Sequence, residues 1–149
     1  MARVRTHSNP FNYFERMQPL DLEMVFPGNK DGIDLEIGFG RGVFLRNYAK
    51  RCPGRAVLGI EVRRQMVEIL QGRLINDGLS NVHLVHGSAQ ILLEDSLQDH
   101  QLDKVFLFHP DPWFKKRHHN RRIVTPAFIE ILLKRLSLTG RLYVSTDVP

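Results

Sequence analysis

One carboxylate, two aromatic rings and five fixed positive charges crowd into the run Pro110-Asp111-Pro112-Trp113-Phe114-Lys115-Lys116-Arg117-His118-His119-Asn120-Arg121-Arg122. The chain carries 21 Lys+Arg against 16 Asp+Glu, a formal net charge of +5. Lys115, Lys116, Arg117, Arg121 and Arg122 account for the whole of that excess, since the remaining basic and acidic side chains are equal in number. Charge clustered in this way attracts a polyanion and makes its binding salt-dependent. A merely solvated loop is the plainer reading, but the interleaving with Trp113 and Phe114 favours nucleic acid. The apolar run Val105-Phe106-Leu107-Phe108 just before it reads as a buried strand, so Asp111 belongs to a strand-end loop stiffened by prolines. At the carboxyl end of a parallel strand such an acid faces a ligand crevice. A carboxylate beside a basic patch points to chemistry done on the nucleic acid; a turn aspartate without a role is the alternative. His118 and His119 are adjacent and poorly placed to converge on one ion. With no cysteine or Glu-x-x-His partner, these histidines and His109 suit phosphates or bases better than a metal.

A second constellation lies upstream. In Asp34-Leu35-Glu36-Ile37-Gly38-Phe39-Gly40-Arg41-Gly42 the glycines stand at a strand-to-helix turn, where they let the backbone approach a ligand closely. Dinucleotide folds use this device with pyrophosphate at the helix N-terminus. Here Val43 occupies the place of their third glycine. Glu36 would repel pyrophosphate and suits a cationic ligand, such as a methionine-derived ammonium and sulfonium. A tight turn with no ligand is the alternative. Glu61, 25 residues after Glu36, ends a second apolar run and could accept both hydroxyls of a ribose. Alternatively it is a strand-end acid paired with Arg63 or Arg64. Gly87-Ser88-Ala89 follows a third run; Ser88 could contact an adenine edge, cap a helix, or both.

These residues need a scaffold, and the periodicities supply one. Strands are expected over 33–37, 56–62, 82–85, 103–108 and 140–145. Helices are expected over 43–51, 63–76, 90–97 and 126–136, with Phe44, Leu45 and Tyr48, then Met66, Val67, Leu70 and Leu74, then Phe128, Ile131, Leu132 and Leu136 inward. Alternation of this kind gives an α/β fold with a doubly wound, mainly parallel sheet. Residues 1–30, broken by Pro10, Pro19, Pro27 and Gly28, read as an irregular arm with at most one short helix, and residues 31–149 as the domain. The 149 residues suffice for one core, and 42% hydrophobic with 25% charged residues is ordinary for a soluble domain. No apolar run is long enough to span a bilayer, and the N-terminus lacks the apolar core of a secretory signal. The single Cys52 excludes an internal disulfide and fits a reducing cytoplasm.

Together these pieces resemble the tRNA (guanine-N7)-methyltransferase family of the bacterial, TrmB type. The likeness runs from about Arg3 to Asp147. It rests above all on Pro-Asp-Pro-Trp-x-Lys-Lys-Arg-His followed by Arg-Arg-Ile-Val, with Leu-Glu-Ile-Gly-Phe-Gly and Gly-Ile-Glu-Val in support. The resemblance implies a Rossmann-like, S-adenosylmethionine-dependent methyltransferase fold. It implies cofactor contacts from Glu36, Gly38, Gly40, Glu61, Arg63, Ser88, Ala89 and Asp111, with Asp111 also catalytic. It gives Lys115 and Asp147 to the substrate nucleoside, and Lys116, Arg117, His118, Arg121 and Arg122 to the RNA. The implied substrate is the variable-loop guanine at position 46 of tRNA. Ser88 stands where the family usually has Asp or Asn, His109 replaces a Phe, and Phe114 replaces a His.

The family also continues beyond the point matched by Asp147, with further strands, a helix and a Thr-x-x-Glu segment. A C-terminally incomplete sheet is therefore expected, with the fifth strand bare along one edge and open to self-association. An RNA- and cofactor-binding remnant with weak or no turnover is the second functional expectation. An NAD-dependent oxidoreductase is the third, opposed by the Gly-x-Gly-x-Gly spacing and by Glu36.

Overall fold

Ile33, Leu35 and Ile37 alternate with Asp34 and Glu36, yet all five residues are buried, as in a strand covered on both faces. In the computed structural model, which describes residues 15–111 and 114–146, this strand β1 (Ile33–Ile37) lies at the centre of a five-stranded parallel sheet. The other strands are β2 (Ala56–Glu61), β3 (Val82–His86), β4 (Leu102–Phe108) and β5 (Leu136–Ser145), in the order β3-β2-β1-β4-β5. The winding reverses between β1 and β4, which opens a crevice at the carboxyl ends of the strands.

Two apolar layers enclose the sheet. One is built on Leu45 and Ala49 of α2 (Val43–Arg51) and on Met66, Leu70 and Leu74 of α3 (Arg64–Asn76). The other is built on a one-turn helix α4 (Ala89–Ile91) with the π turn Leu92–Ser96, and on α5 (Pro126–Arg135), which buries Phe128 and Leu132. Thr125 starts α5 by accepting the Phe128 N–H at 3.2 Å, and Pro126 fills the first helical turn, where its missing donor is no loss. The doubly wound expectation is met.

Two elements differ from expectation. The helix expected over 90–97 is one α turn followed by a π turn, because a strap packs against its far end. Arg16 pairs with Glu94 and Asp95, the Met17 N–H donates to Asp95 at 3.0 Å, and the Ser96 hydroxyl donates to the Gln18 carbonyl at 2.8 Å. The strap leads into a short helix α1 (Leu22–Val25), capped by Asp21. The fifth strand also begins earlier than expected. Leu136 pairs with Leu102, and regular pairing then resumes at Arg141 opposite Lys104. The intervening residues bulge out, leaving Leu138 93% exposed. Gly140 returns the chain so closely that an added Cβ would lie 3.0 Å from the Ser137 carbonyl. Leu136 has helical spacing from Leu132, but its burial is achieved on the strand.

Beneath the sheet's α2 face, Asp34 is fully buried and paired on both oxygens. Tyr48 donates to it at 2.6 Å, and Arg55 does so from Nε at 3.0 Å and Nη2 at 2.6 Å. Arg55 also reaches Asp103 at 2.9 Å, tying β1, α2 and β4 together. The hydrogen bond to Asp34 raises the Arg55 pKa further above its ordinary value.

Candidate functional site

The carboxyl ends of β1, β2 and β4 surround a crevice of about 150 Å³ lined by Gly38, Glu61, Arg63, Gly87, Ala89 and Asp111, among others. The glycine loop meets it at Gly38. Gly38, Gly40 and Gly42 have φ of 70°, 56° and 73°, so all three lie in the left-handed region that a side chain resists. The Gly38 N–H is held by the Ile60 carbonyl at 2.8 Å, which fixes the loop to β2.

Glu36 stands on β1 beside the start of α2, 5% exposed. The Leu45 N–H donates to its carboxyl, while its Oε2 is buried with no partner among the described residues. Burial, and after it the charge of Glu61, pushes its pKa up to about 8, with the Leu45 bond opposing. A buried acceptor without a donor is costly, and it suits a ligand that brings a cationic donor.

Glu61 ends β2 at 4% exposure. Its Oε1 accepts the Arg63 N–H and Arg63 Nε, both at 3.1 Å, and its Oε2 accepts the Gly40 N–H at 2.9 Å and Arg63 Nη2 at 3.1 Å. The pairing with Arg63, one of the two alternatives read from the sequence, is thus present, inside the crevice rather than on open surface. The hydrogen bond to Glu61 raises the Arg63 pKa, and the charges of Glu61 and then Asp111 add to it.

Asp111 lines the crevice from the β4 side. The turn to it is made at His109, whose φ of 47° is left-handed and whose N–H is held by the Ser145 carbonyl of β5 at 2.7 Å. The basic run divides in two. Lys115, Lys116 and Arg117 are exposed, whereas Arg121, at the end of the 3-10 turn Lys116–Arg121, lines the crevice. His118 is half-buried, with its pKa lowered by desolvation and then by the charges of Arg121, Arg117 and Lys115. Arg122 is half-buried just beyond the turn. Pro112, Trp113 and Asp147 lie outside the described residues.

Glu36, Gly40 and Ser88 do not line the crevice among the described residues, although Gly40 touches it through Glu61. Ser88 is buried at the N-cap position of α4, but its side chain makes no capping bond, so the capping role read from the sequence is corrected. The Ser88 carbonyl joins the helix instead, accepting the Leu92 N–H at 3.0 Å. Sequence reasoning missed Met17, whose methyl stands where a Cβ on Gly87 would stand, and Phe108 and Ile123, which line the crevice. No local signal could have found Met17, which comes from the strap. Among the described residues there is no group of three or more His, Cys, Asp or Glu that could hold a metal ion, and no helix long and apolar enough to cross a membrane.

A family model described as "Putative methyltransferase" matches residues 30–149. The chain belongs to this methyltransferase family. Its oxidoreductase reading therefore falls. The methyltransferase chain is 45% identical over 129 residues to the tRNA (guanine-N(7)-)-methyltransferase of Xanthomonas campestris pv. campestris (strain 8004), covering 87% of this chain and 49% of that protein. It is 42% identical over 129 residues to the protein of the same name from Nitrosococcus oceani, covering 54% of it. The methyltransferase chain thus spans about half the length of the curated relatives it matches. Its fold is that of an S-adenosylmethionine-dependent methyltransferase from Aquifex aeolicus, with a TM-score of 0.59 and 23% identity over 83% of this chain and 62% of that one. Phosphoethanolamine N-methyltransferase 2 of Haemonchus contortus, bound to S-adenosylmethionine, shares the fold with a TM-score of 0.59 and 19% identity over 83% of this chain and 26% of that one.

Proposed function

We propose that this chain transfers a methyl group from S-adenosylmethionine to N7 of a guanine in tRNA, the variable-loop guanine at position 46. One observation carries the reading: a single crevice joins the buried acid Glu61 and Gly38 of the glycine loop to Asp111 and Arg121 at the root of a basic run. The 45% identity to a tRNA (guanine-N(7)-)-methyltransferase supports this choice of substrate.

The residues fit the cofactor. The unpartnered Oε2 of Glu36 suits its ammonium, Glu61 its ribose hydroxyls, and the crevice residues Gly87 and Ala89, with Ser88 between them in sequence, its adenine. When bound, S-adenosylmethionine supplies an electrophilic methyl on a sulfonium. Guanine N7 carries a free lone pair, so no side chain has to remove a proton before attack. The chain's task is alignment and electrostatics. Asp111 holds the purine through its N–H groups and stabilises the positive charge that develops on it. Lys115 and Asp147 take the nucleoside, while Lys116, Arg117, His118, Arg121 and Arg122 engage phosphates and position the RNA. The reaction is cytoplasmic. Residues 1–30, of which 1–14 lie outside the described residues, are assigned as an arm on the catalytic unit 31–149.

The exposed side chains Leu138, Tyr143 and Val144 on β5, the outermost described strand on its side of the sheet, support self-association of the chain, which light scattering reads directly. Methyl transfer from labelled S-adenosylmethionine to unmodified tRNA, with the product base mapped, tests the function. N7-methylguanine at position 46 is expected. Binding of both ligands without transfer would favour the cofactor- and RNA-binding remnant instead.

A further inference from the structure

We propose that the Arg63 guanidinium is a built-in competitor for the ligand's ribose, holding the two acceptor positions of Glu61 that a vicinal diol would take. The inference rests on the cofactor reading above. A carboxylate offers about four acceptor positions, two on each oxygen. In this crevice all four are filled: Arg63 N–H and Nε on Oε1, Gly40 N–H and Arg63 Nη2 on Oε2, at distances of 2.9–3.1 Å. The two main-chain donors are set by the glycine loop and by the turn into α3. They stay where they are when a ligand enters. The two guanidinium donors hang from a flexible side chain, and they alone can leave.

A ribose brings two hydroxyl donors to the same carboxylate. It gains both bonds only in exchange for the guanidinium's two. The exchange is finely poised, because one charge-assisted pair is replaced by two bonds from neutral donors. The released cation is not stranded, since Asp111 lines the same crevice and its charge already acts on Arg63. While no ligand is present, the contact keeps Glu61 neutralised beside Glu36, whose pKa the Glu61 charge would otherwise raise still more. Arg63 is therefore a positioning residue that sets affinity and selects for ligands with an intact diol.

Isothermal titration of the 149-residue chain with S-adenosylhomocysteine tests this, using the wild type, Arg63→Met, Arg63→Lys and Glu61→Gln. Methionine keeps the aliphatic stem and removes the donors. Arg63→Met should bind about three- to tenfold more tightly, the range left for a hydrogen-bonded ion pair that is partly exposed. Arg63→Lys should fall between it and the wild type. In NMR of the wild type, the Arg63 Nε–H signal should move on addition of S-adenosylhomocysteine. Equal or weaker binding by Arg63→Met, or an unmoved Nε–H signal in a chain that binds, overturns the competitor role alone. Undiminished binding by Glu61→Gln removes Glu61 from the ribose and the proposal with it. Failure of the wild type to bind overturns the cofactor reading as well.

Discussion

Glu36 and Glu61 stand near the carboxyl ends of neighbouring strands, exposed by only 5% and 4%, and the charge of Glu61 bears on the Glu36 carboxyl. Burial is the larger cause of the Glu36 shift, from the ordinary 4.5 to about 8. Between those values the folded chain holds a proton that the unfolded chain gives up, so stability falls as pH rises through that window and is level above it. The fall is at most about 5 kcal/mol at ~1.4 kcal/mol per unit. Urea unfolding of the wild type at the two ends of the window should show it, and Glu36→Gln should flatten it. A wild-type stability that is level or rises over this range would place the Glu36 proton elsewhere.

Asp111 is expected to act on the reaction and not on the fold. Asp111→Asn should keep the unfolding midpoint and most of the tRNA affinity while lowering the rate of methyl transfer. Single-turnover rates with saturating tRNA measure this, and a wild-type rate would remove Asp111 from the mechanism.

Lys115, Lys116 and Arg117 are exposed, whereas Arg121 lines the crevice. Replacing the first three with Ala should weaken tRNA binding and reduce the slope of log K against log salt by about two, at ~0.7 per phosphate contact on single strands. Cofactor affinity should not change. A salt plot parallel to that of the wild type would show that these three side chains do not touch RNA.

Arg55→Leu should destabilise the fold by about 3 kcal/mol, since it strips the buried Asp34 of its two guanidinium bonds and leaves Tyr48 as a neutral donor. Chemical denaturation measures the loss. A stability within about 0.5 kcal/mol of wild type, as for an ordinary surface change, would contradict the role assigned to the pair.

The central strands were legible because Ile33, Leu35 and Ile37 alternate with acids over a strand's length, and Ala56 through Ile60 is an apolar run, each bounded by turn residues. The glycine loop was legible because its φ angles demand that residue type. Other features depend on contacts between distant segments, which local periodicity does not record. Leu136 satisfies helical spacing from Leu132, yet it is buried by pairing with Leu102. The turn of π helix answers to Arg16, Met17 and Gln18, nearly eighty residues upstream, where |i−j| is 78 or 79. Glu36 was read as an acid facing a ligand; its residue type could not reveal that burial leaves one oxygen without a partner. For Glu61, ribose contact and pairing with Arg63 are alternatives in the sequence; the structure shows the pairing, on the oxygens that the proposed ribose contact would use.

The hydrogen bond from the His109 N–H to the Ser145 carbonyl moors the loop that carries Asp111 to β5, the outermost strand on that side of the described sheet. Edge strands fray before central ones, because they have half the pairing partners and more solvent around them. Peeling of β5 would cut the loop adrift while β1, β2 and α3 still held the crevice floor. On heating, the His109 amide should therefore exchange its hydrogen well ahead of the amides of β1, before the sheet as a whole melts.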